Sequence, residues 1–387
     1  MTGSNYDFAI VGGGLHGCVI ALALAAARPT ARVVLIERDA ELAGNHTWCL
    51  HADDVPAELA DVIAPAIAHR WDGYRVAFVD HERALASPYV AVTSASLART
   101  VRDACARSSL EVCTGLAVRR LNARRVVLAD GRAIDATTVI DARGPDRYAI
   151  AGAPHGYQKF VGLELALARP HGLTTPMLMD ARVPQSDGFR FFYVLPLAPD
   201  RVLVEDTYYS DDATLDRDAL TANVHAYADA HGFAIDRVIR REAGVLPLPL
   251  ASTFDAARAM PVADHPLAVG YHAGWFHPTT GYSFPLALRV AALIANAGAD
   301  ASAAWATATR AHTTQLAFAT RLNRMLFRWF APADRHHVLS RFYRLPEPVI
   351  RRFYALRTTR LDRARVFVGR PPKGLSWRSA LTNRKAA

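Results

Sequence analysis

Long apolar runs are missing from this 387-residue sequence, and none approaches the roughly 20 residues that a bilayer-spanning helix requires. The first residues, Met1 to Asp7, carry no positively charged lead, so no secretory signal is read and a cytoplasmic protein is expected. Cysteine is scarce. Cys18, Cys49, Cys105 and Cys113 have neither a CxxC spacing nor the density of a disulfide framework, which leaves no metal or redox-thiol motif and makes them reduced packing residues. Internal repeats and low-complexity linkers are absent too, which argues against a string of independent modules. Acidic residues are depleted at one end: Arg321 to Arg378 holds 15 Lys/Arg against three Asp/Glu. The formal charge of +9 is therefore a C-terminal feature, and the rest of the chain is slightly acidic. No zinc spacing or nucleic-acid module accompanies that charge, so no nucleic acid is expected as a partner.

What is present is a hydrophobic content of 51%, enough for a substantial core. Asp7 to Val11 reads as a short strand, Gly12 to Gly17 as a glycine turn, and Cys18 to Ala27 as an alanine-rich helix. Arg32 to Glu37 is a second strand, completing a βαβ unit. Leu97 to Ala106 reads as a helix, and Val126 to Gly131 and Thr137 to Asp141 as strands. From about Gly156 to Leu250 aromatic and β-branched residues dominate, as in Phe189 to Leu195 and Arg201 to Glu205, and suit a second sheet that covers a ligand. Leu267 to Gly270 reads as a return strand of the first domain and Leu286 to Ala297 as a helix. The expected fold is α/β: a Rossmann-type FAD-binding domain in two parts (1-150 and 261-300), an inserted β-rich substrate domain (151-260) and a basic helical C-terminal region (301-387).

Gly12, Gly14 and Gly17 satisfy G-x-G-x-x-G between a strand and a helix. The first glycine permits the tight turn, the second lets backbone amides approach a pyrophosphate, and the third lets helix and strand pack closely. Glu37, twenty residues after Gly17, stands where a carboxylate accepts hydrogen bonds from an adenosine ribose. The fingerprint serves NAD and FAD alike. Asp141-Ala142-Arg143-Gly144-Pro145, ending a strand, and Pro278-Thr279-Thr280-Gly281, preceding a helix whose positive end would face a flavin, favour FAD and add Pro278, Thr279 and Gly281 to the cofactor-binding candidates.

With Gly44-Asn45-His46-Thr47-Trp48, Gly156 to Gly162, Pro176 to Asp180, Asp187 to Tyr193, Val204-Glu205-Asp206-Thr207-Tyr208-Tyr209, Gly244 to Pro249 and Phe276 to Ser283, these segments resemble the bacterial lycopene beta-cyclases over nearly the full length and in order. His16-Gly17-Cys18 and Trp275-Phe276 depart slightly from that pattern. The resemblance implies an enzyme that needs its FAD reduced, commonly by NAD(P)H. It also implies a redox-neutral reaction that turns lycopene, via gamma-carotene, into beta-carotene.

Such a ring closure needs an acid, a base, a dry pocket and stabilisation of positive charge. Glu205, ending the apolar run Val202-Leu203-Val204, is the candidate acid, since burial raises a carboxyl's pKa, and it matches the acidic residue essential in the family. The alternative is a structural pairing with an arginine such as Arg190. Asp206 points to the opposite strand face. His277 is either a base or a loop anchor. Asp141 either moves protons or positions the flavin. Phe191, Tyr193, Tyr208 and Trp275 are candidates to stabilise the cation, or else core aromatics. Two rival functions stand beside the cyclase. One is a FAD-dependent monooxygenase or reductase acting on another isoprenoid, and the other is a membrane-bound flavoprotein with a binding or structural role.

Phe318, Leu322, Met325, Leu326 and Trp329 recur at helical spacing beside Arg321, Arg324 and Arg328, and Val349, Ile350, Phe353 and Tyr354 repeat the pattern beside Arg351 and Arg352. Lycopene dissolves in membrane, so these amphipathic stretches are expected to rest peripherally on the inner face of the cell membrane. The competing reading is a helical cap on the protein's own core.

Overall fold

The computed structural model describes residues 5–144, 154–251, 254, 265–297 and 301–375. Pro145 and the expected boundaries at 150, 260 and 300 lie outside them, as does the basic tail beyond 375.

The fingerprint region folds as its pattern dictates. Strand β1 (Asn5–Val11) leads through the glycine turn into α1 (Leu15–Ala27) and returns as β2 (Val33–Ile36). Helix α1 is apolar all round and buried on every side through its first ten residues, which places it inside the molecule. Short strands β3 (Thr47–His51) and β4 (Ile67–Trp71), with the single helical turn α2 (Ala60–Ile63) between them, pair with β7 (Tyr89–Thr93) in a small antiparallel sheet. Helix α3 (Ser94–Cys105) follows, started by a reciprocal Thr93–Ser96 capping box. Strands β8 (Leu110–Cys113), β9 (Val118–Leu121), β10 (Arg125–Leu128) and β11 (Ala133–Asp141) complete the order β8-β2-β1-β11-β10-β9, in which β8, β2, β1 and β11 are parallel. The carboxyl ends of β1 and β11 neighbour each other where the strand order turns, the usual ligand position of such sheets.

The second sheet is built mainly from β12 (His155–Leu167), β13 (Met177–Asp180), β14 (Phe189–Ala198), β15 (Arg201–Ser210) and β16 (Ile235–Pro249). Its order is β16-β12-β15-β14-β13-β5-β6, where β5 (Tyr74–Phe78) and β6 (His81–Leu85) form a hairpin contributed by the N-terminal part of the chain. Side chains alternate between its faces. Val161, Leu163, Phe192, Val194, Val202 and Val204 pack on α4 (Arg217–Ala230), where Tyr227 stacks on Phe192 at 4.1 Å between centroids. The other face carries Phe189, Phe191, Leu203, Glu205 and Tyr209.

β17 (Leu267–Ala268) returns the chain beside β11 in the first sheet, and α5 (Phe284–Ala295) packs on α1. The C-terminal helices α6 (Ala301–Trp329), α7 (Arg335–Phe342), α8 (Glu347–Tyr354) and α9 (Arg360–Phe367) follow. The amphipathic stripe of α8 is turned inward, whereas along α6 Leu326 is buried and Phe318, Leu322, Met325 and Trp329 are half-buried. Leu326, Ile350, Phe353 and Tyr354 are buried against the second sheet's core, with Leu322 partly buried beside them. Asn323 of α6, fully buried, donates to the carbonyls of Pro249 (3.0 Å) and Pro278 (2.6 Å), tying the end of β16 to the loop before α5. Among the described residues, no helix is long and apolar enough to cross a membrane.

Candidate active site

The carboxyl ends of β1, β2 and β11 open on a cavity of about 1670 Å³. Gly12, Gly13, Gly14, Glu37 and Asp141 line one part of it, and Glu205, Glu242, Phe191, Tyr193 and Tyr209 another. Small-molecule pockets usually measure about 300–1,000 Å³, so this one has room for two ligands in succession.

The glycine turn has the geometry a dinucleotide needs. Gly12 takes φ +106°, and a Cβ there would lie 2.7 Å from the Ala142 carbonyl group. A Cβ on Gly17 would overlap the carbonyl oxygen of Gly12, so this glycine sets the contact between α1 and β1 and does not itself line the cavity. A Cβ on Gly14 would meet nothing within 4 Å, which leaves its backbone open to a phosphate group. Glu37 accepts hydrogen bonds from the amides of Gly13 (2.6 Å) and Asp39 (3.0 Å) at the far end of the turn. Cys18 donates its thiol proton to the Gly13 carbonyl at 3.1 Å, so this departure from the expected pattern closes the turn.

Asp141 lies on the cavity wall, gripped by Arg143 at 2.7 and 2.8 Å, with His272 at 3.7 Å. Burial works to raise its pKa, but these positive partners outweigh burial and hold the carboxyl below its ordinary range. An ionised, bidentate-paired group is suited to positioning. Gly281, at φ +67°, lines the cavity with Thr280, Tyr282 and Ser283, and the N-terminus of α5 opens there. The buried Gln158 Oε1 and the Tyr271 hydroxyl, both beside Gly281, have no hydrogen-bond partner among the described residues. Orphaned polar atoms on this wall fit the polar edge of a flavin. The residues present therefore suit FAD.

Pro278 and Thr279 do not line the cavity, contrary to expectation. They anchor the loop: the Pro278 carbonyl accepts from Asn323, and the Thr279 hydroxyl donates to the Ala319 carbonyl at 3.3 Å. His277 belongs with them. It is fully buried away from the cavity, its Nδ1 accepts from the Thr279 amide (3.1 Å), and its Nε2 donates to the Phe353 carbonyl (2.9 Å). Burial pushes its pKa down to about 3, so the ring is a neutral strut and not a base.

Glu205 is half-buried in the cavity wall and accepts a hydrogen bond from Thr207 Oγ1 at 2.6 Å. Its alternative partner, Arg190, is engaged elsewhere. On the opposite face Arg190 grips Asp206 at 2.9 and 3.0 Å, and Asn223 donates to the same carboxylate at 2.9 Å. Breaking such a buried pair leaves a charge uncompensated, so Arg190→Met is expected to lower unfolding free energy by about 3–5 kcal/mol in a denaturant titration. Tyr208 lies on that same hidden face, with Arg190 over its ring at 5.3 Å, and so cannot stabilise a cation in the cavity. Trp275 is also removed. It stacks on His312 at 4.4 Å between centroids and borders a separate cavity near α5 and α6.

Phe191 and Tyr193 do face the cavity, joined by Tyr89, Tyr282 and Tyr354, which the sequence reading had not singled out for this role. Tyr89 sits 3.3 Å from the Tyr193 hydroxyl and hydrogen-bonds Tyr282. Glu242 was missed as well. Tyr193, Glu205, Gly162 and Glu242 stand in one row across four adjacent strands, by the pairings Tyr193↔Glu205, Gly162↔Glu205 and Gly162↔Glu242. The alternation along β16 that puts Glu242 on the face of Leu246 and Leu248 was the available signal.

The chain matches the family model described as lycopene cyclase protein over residues 7–380. It is 42% identical over 378 residues to a lycopene beta-cyclase of Paracoccus sp. (strain N81106 / MBIC 01143), covering 95% of each chain. Against a lycopene beta-cyclase of Pantoea ananas it is 42% identical over 375 residues, again 95% of each. Among solved structures, PqsL, a probable FAD-dependent monooxygenase from Pseudomonas aeruginosa, superposes with a TM-score of 0.62 at 19% identity, covering 88% of this chain and all (100%) of that one. A geranylgeranyl bacteriochlorophyll reductase-like protein from Thermoplasma acidophilum gives 0.60 at 13% identity, covering 99% of each. At such identities these two likenesses establish the fold.

Proposed function

Because this chain belongs to the lycopene cyclase family, we propose that it closes the linear ends of lycopene into beta-ionone rings, through gamma-carotene to beta-carotene, with reduced FAD at the glycine turn. NAD(P)H is the donor that keeps the flavin reduced. The observation that carries this reading is Glu205: a carboxyl on an aromatic wall, in the same cavity as the dinucleotide fingerprint, engaged by no ion pair among the described residues.

Protonated Glu205 delivers its proton to a terminal double bond, leaving a tertiary cation that the neighbouring double bond attacks. Loss of a ring proton to the Glu205 carboxylate left by the first step then restores neutrality and reloads the acid, so the product is an isomer of the substrate and no electron is gained or lost. Phe191 and Tyr193 present ring faces that stabilise the cation without a strong nucleophile. Burial pushes the hydroxyls of Tyr89, Tyr193 and Tyr282 well above their ordinary pKa, so the wall stays uncharged. When bound, reduced flavin would supply an electron-rich ring that stabilises positive charge. Asp141, its carboxylate held by Arg143, would help hold that cofactor.

Burial, reinforced by the nearby charge of Glu242, pushes the Glu205 carboxyl up from 4.5 to about 8. The acid is therefore loaded at neutral pH, and cyclisation is expected to hold steady below that value and fall as pH rises through about 8. The check is product formation across pH with the flavin kept chemically reduced. Linkage gives the fold the same dependence. The unfolded carboxyl ionises near 4.5 and the folded one near 8, so this group's stabilising contribution is full below the first value, declines between them and is gone above the second.

The substrate is drawn from the inner face of the cell membrane, and the surface that meets it is α9 with its flanks. Leu361 and Val368 are 71% and 72% exposed, amid exposed Arg360, Arg365, Arg370 and Lys373. Leu361→Ser with Val368→Ser is expected to weaken binding to anionic vesicles at least about tenfold in flotation assays, since each apolar side chain buried contributes roughly 1.5 kcal/mol or more.

Expression in cells that accumulate lycopene tests the activity. Yellow-orange beta-carotene is expected. Persistent red lycopene removes the reading, and stoichiometric consumption of nicotinamide with an oxygenated or reduced product assigns the chain to monooxygenases or reductases instead.

A further inference from the structure

Gly162 is the middle residue of the row that joins the two cavity carboxyls. A Cβ there would lie 3.0 Å from Glu242 Cγ, 3.3 Å from Glu242 Oε1 and 3.5 Å from Glu205 Cβ. The two acids thus flank a strand that carries no side chain at this point, with the Glu242 carboxyl reaching over it, and both line the cavity. Their other surroundings differ sharply. Arg240 donates to Glu242 Oε2 at 2.6 Å, and is itself fixed by Glu164 (3.0 Å), Asn45 (3.1 Å) and Thr47 (2.6 Å). Glu164 is paired in turn with Arg201. Glu242 is only 7% exposed, so its charge is screened little by water. Among the described residues Glu205 has the Thr207 hydroxyl and no cation in contact.

The geometry points to Glu242 as the positioning residue for the acid: anchored as a carboxylate by Arg240 and set across Gly162, it keeps Glu205 in the protonated form that ring closure uses. Two carboxyls that share one poorly solvated wall do not both ionise readily, and the cation decides which of them carries the charge. Of the remaining groups around Glu205, the Thr207 hydroxyl and the more distant charge of Arg240 favour the ionised form, but burial and Glu242 outweigh them. Tyr193 from β14, Tyr89 from β7 and Cys49 from β3 are held neutral by burial, Asp206 lies behind the sheet with its charge matched by Arg190, and Arg240 points to Glu242. Burial raises Glu242 also, while Arg240 pulls against it.

This inference rests on the reading of Glu205 as the acid, and its test separates the two. In flavin-loaded protein, infrared difference spectra against Glu205→Gln identify the protonated Glu205 carboxyl band, whose loss with pH is followed without reference to activity. The wild-type band is expected to persist past neutral pH. In Glu242→Gln it is expected to disappear at a pH lower by about one unit or more, as removal of a neighbouring like charge requires. The alkaline fall in cyclisation should move with it. Glu242→Asp, which keeps the charge, should leave both near their native position, whereas a merely structural role would show the two variants impaired alike with unshifted profiles. An unshifted band in folded Glu242→Gln, or a wild-type Glu205 already ionised at neutral pH, overturns the proposal, the latter even if Glu242→Gln fails to fold. A wild-type protein with the expected titration but no cyclised product would overturn the functional reading and leave the pairing intact.

Discussion

Glu205→Gln is expected to give a folded, yellow, flavin-bearing protein that forms beta-carotene about 10²–10⁴-fold more slowly, the usual contribution of a positioned acid. Glutamine keeps the side chain's length and can still accept from Thr207 Oγ1, so the wall of the cavity is preserved while the transferable proton is lost. Pigment analysis of lycopene-fed protein measures the loss, and flavin absorbance shows that the site is still formed. If the variant cyclises at the native rate, Glu205 is not the acid.

The second large effect separates two glycines of one motif. In Gly17→Ala the new methyl would overlap the Gly12 carbonyl oxygen, a backbone atom at the end of a buried strand, so α1 must move away from β1. Colourless protein with a sharply lowered melting temperature is expected, since overpacking against immovable backbone costs about 1–3 kcal/mol or more. Gly14→Ala adds the same methyl where nothing lies within 4 Å. It should melt normally without flavin yet bind FAD weakly, because the methyl stands where a phosphate must come close. Equal behaviour of the two variants, measured by melting of flavin-free protein and by flavin titration, would refute this division of labour.

These residues were legible in the sequence because their constraints are local. A turn between strand and helix fixes three glycine spacings, and the ends of neighbouring parallel strands follow from the βαβ pattern. Glu205 was legible for a similar reason, as a charged residue after the apolar run Val202–Val204, although the strand continues through it to Ser210. Tyr208 failed on strand period, since it is an odd number of residues from Glu205 and so faces away while Tyr209 shares its face, whereas Trp275 stands in a loop whose packing on His312 no period announces. His277, Pro278 and Thr279 stand in a loop without a period, and only tertiary contacts with α6 and α8 make them anchors. The stripes of α6 and α8 announced an apolar face but not what would cover it; the protein's own core covers Leu326, Ile350, Phe353 and Tyr354. Glu242 needed a pairing of strands 80 residues apart along the chain, which no local pattern carries.

The hairpin Tyr74–Leu85 leaves the segment that builds the first sheet and finishes the edge of the second. A chimera made by swapping a continuous stretch such as 154–251 between relatives would leave that edge behind in the host. Its recipient strand, Met177–Asp180, would then meet foreign neighbours at Arg75, Val76 and Ala77. Recombination that seeks new specificities should therefore carry both stretches together, treating a discontinuous pair of segments as the heritable unit.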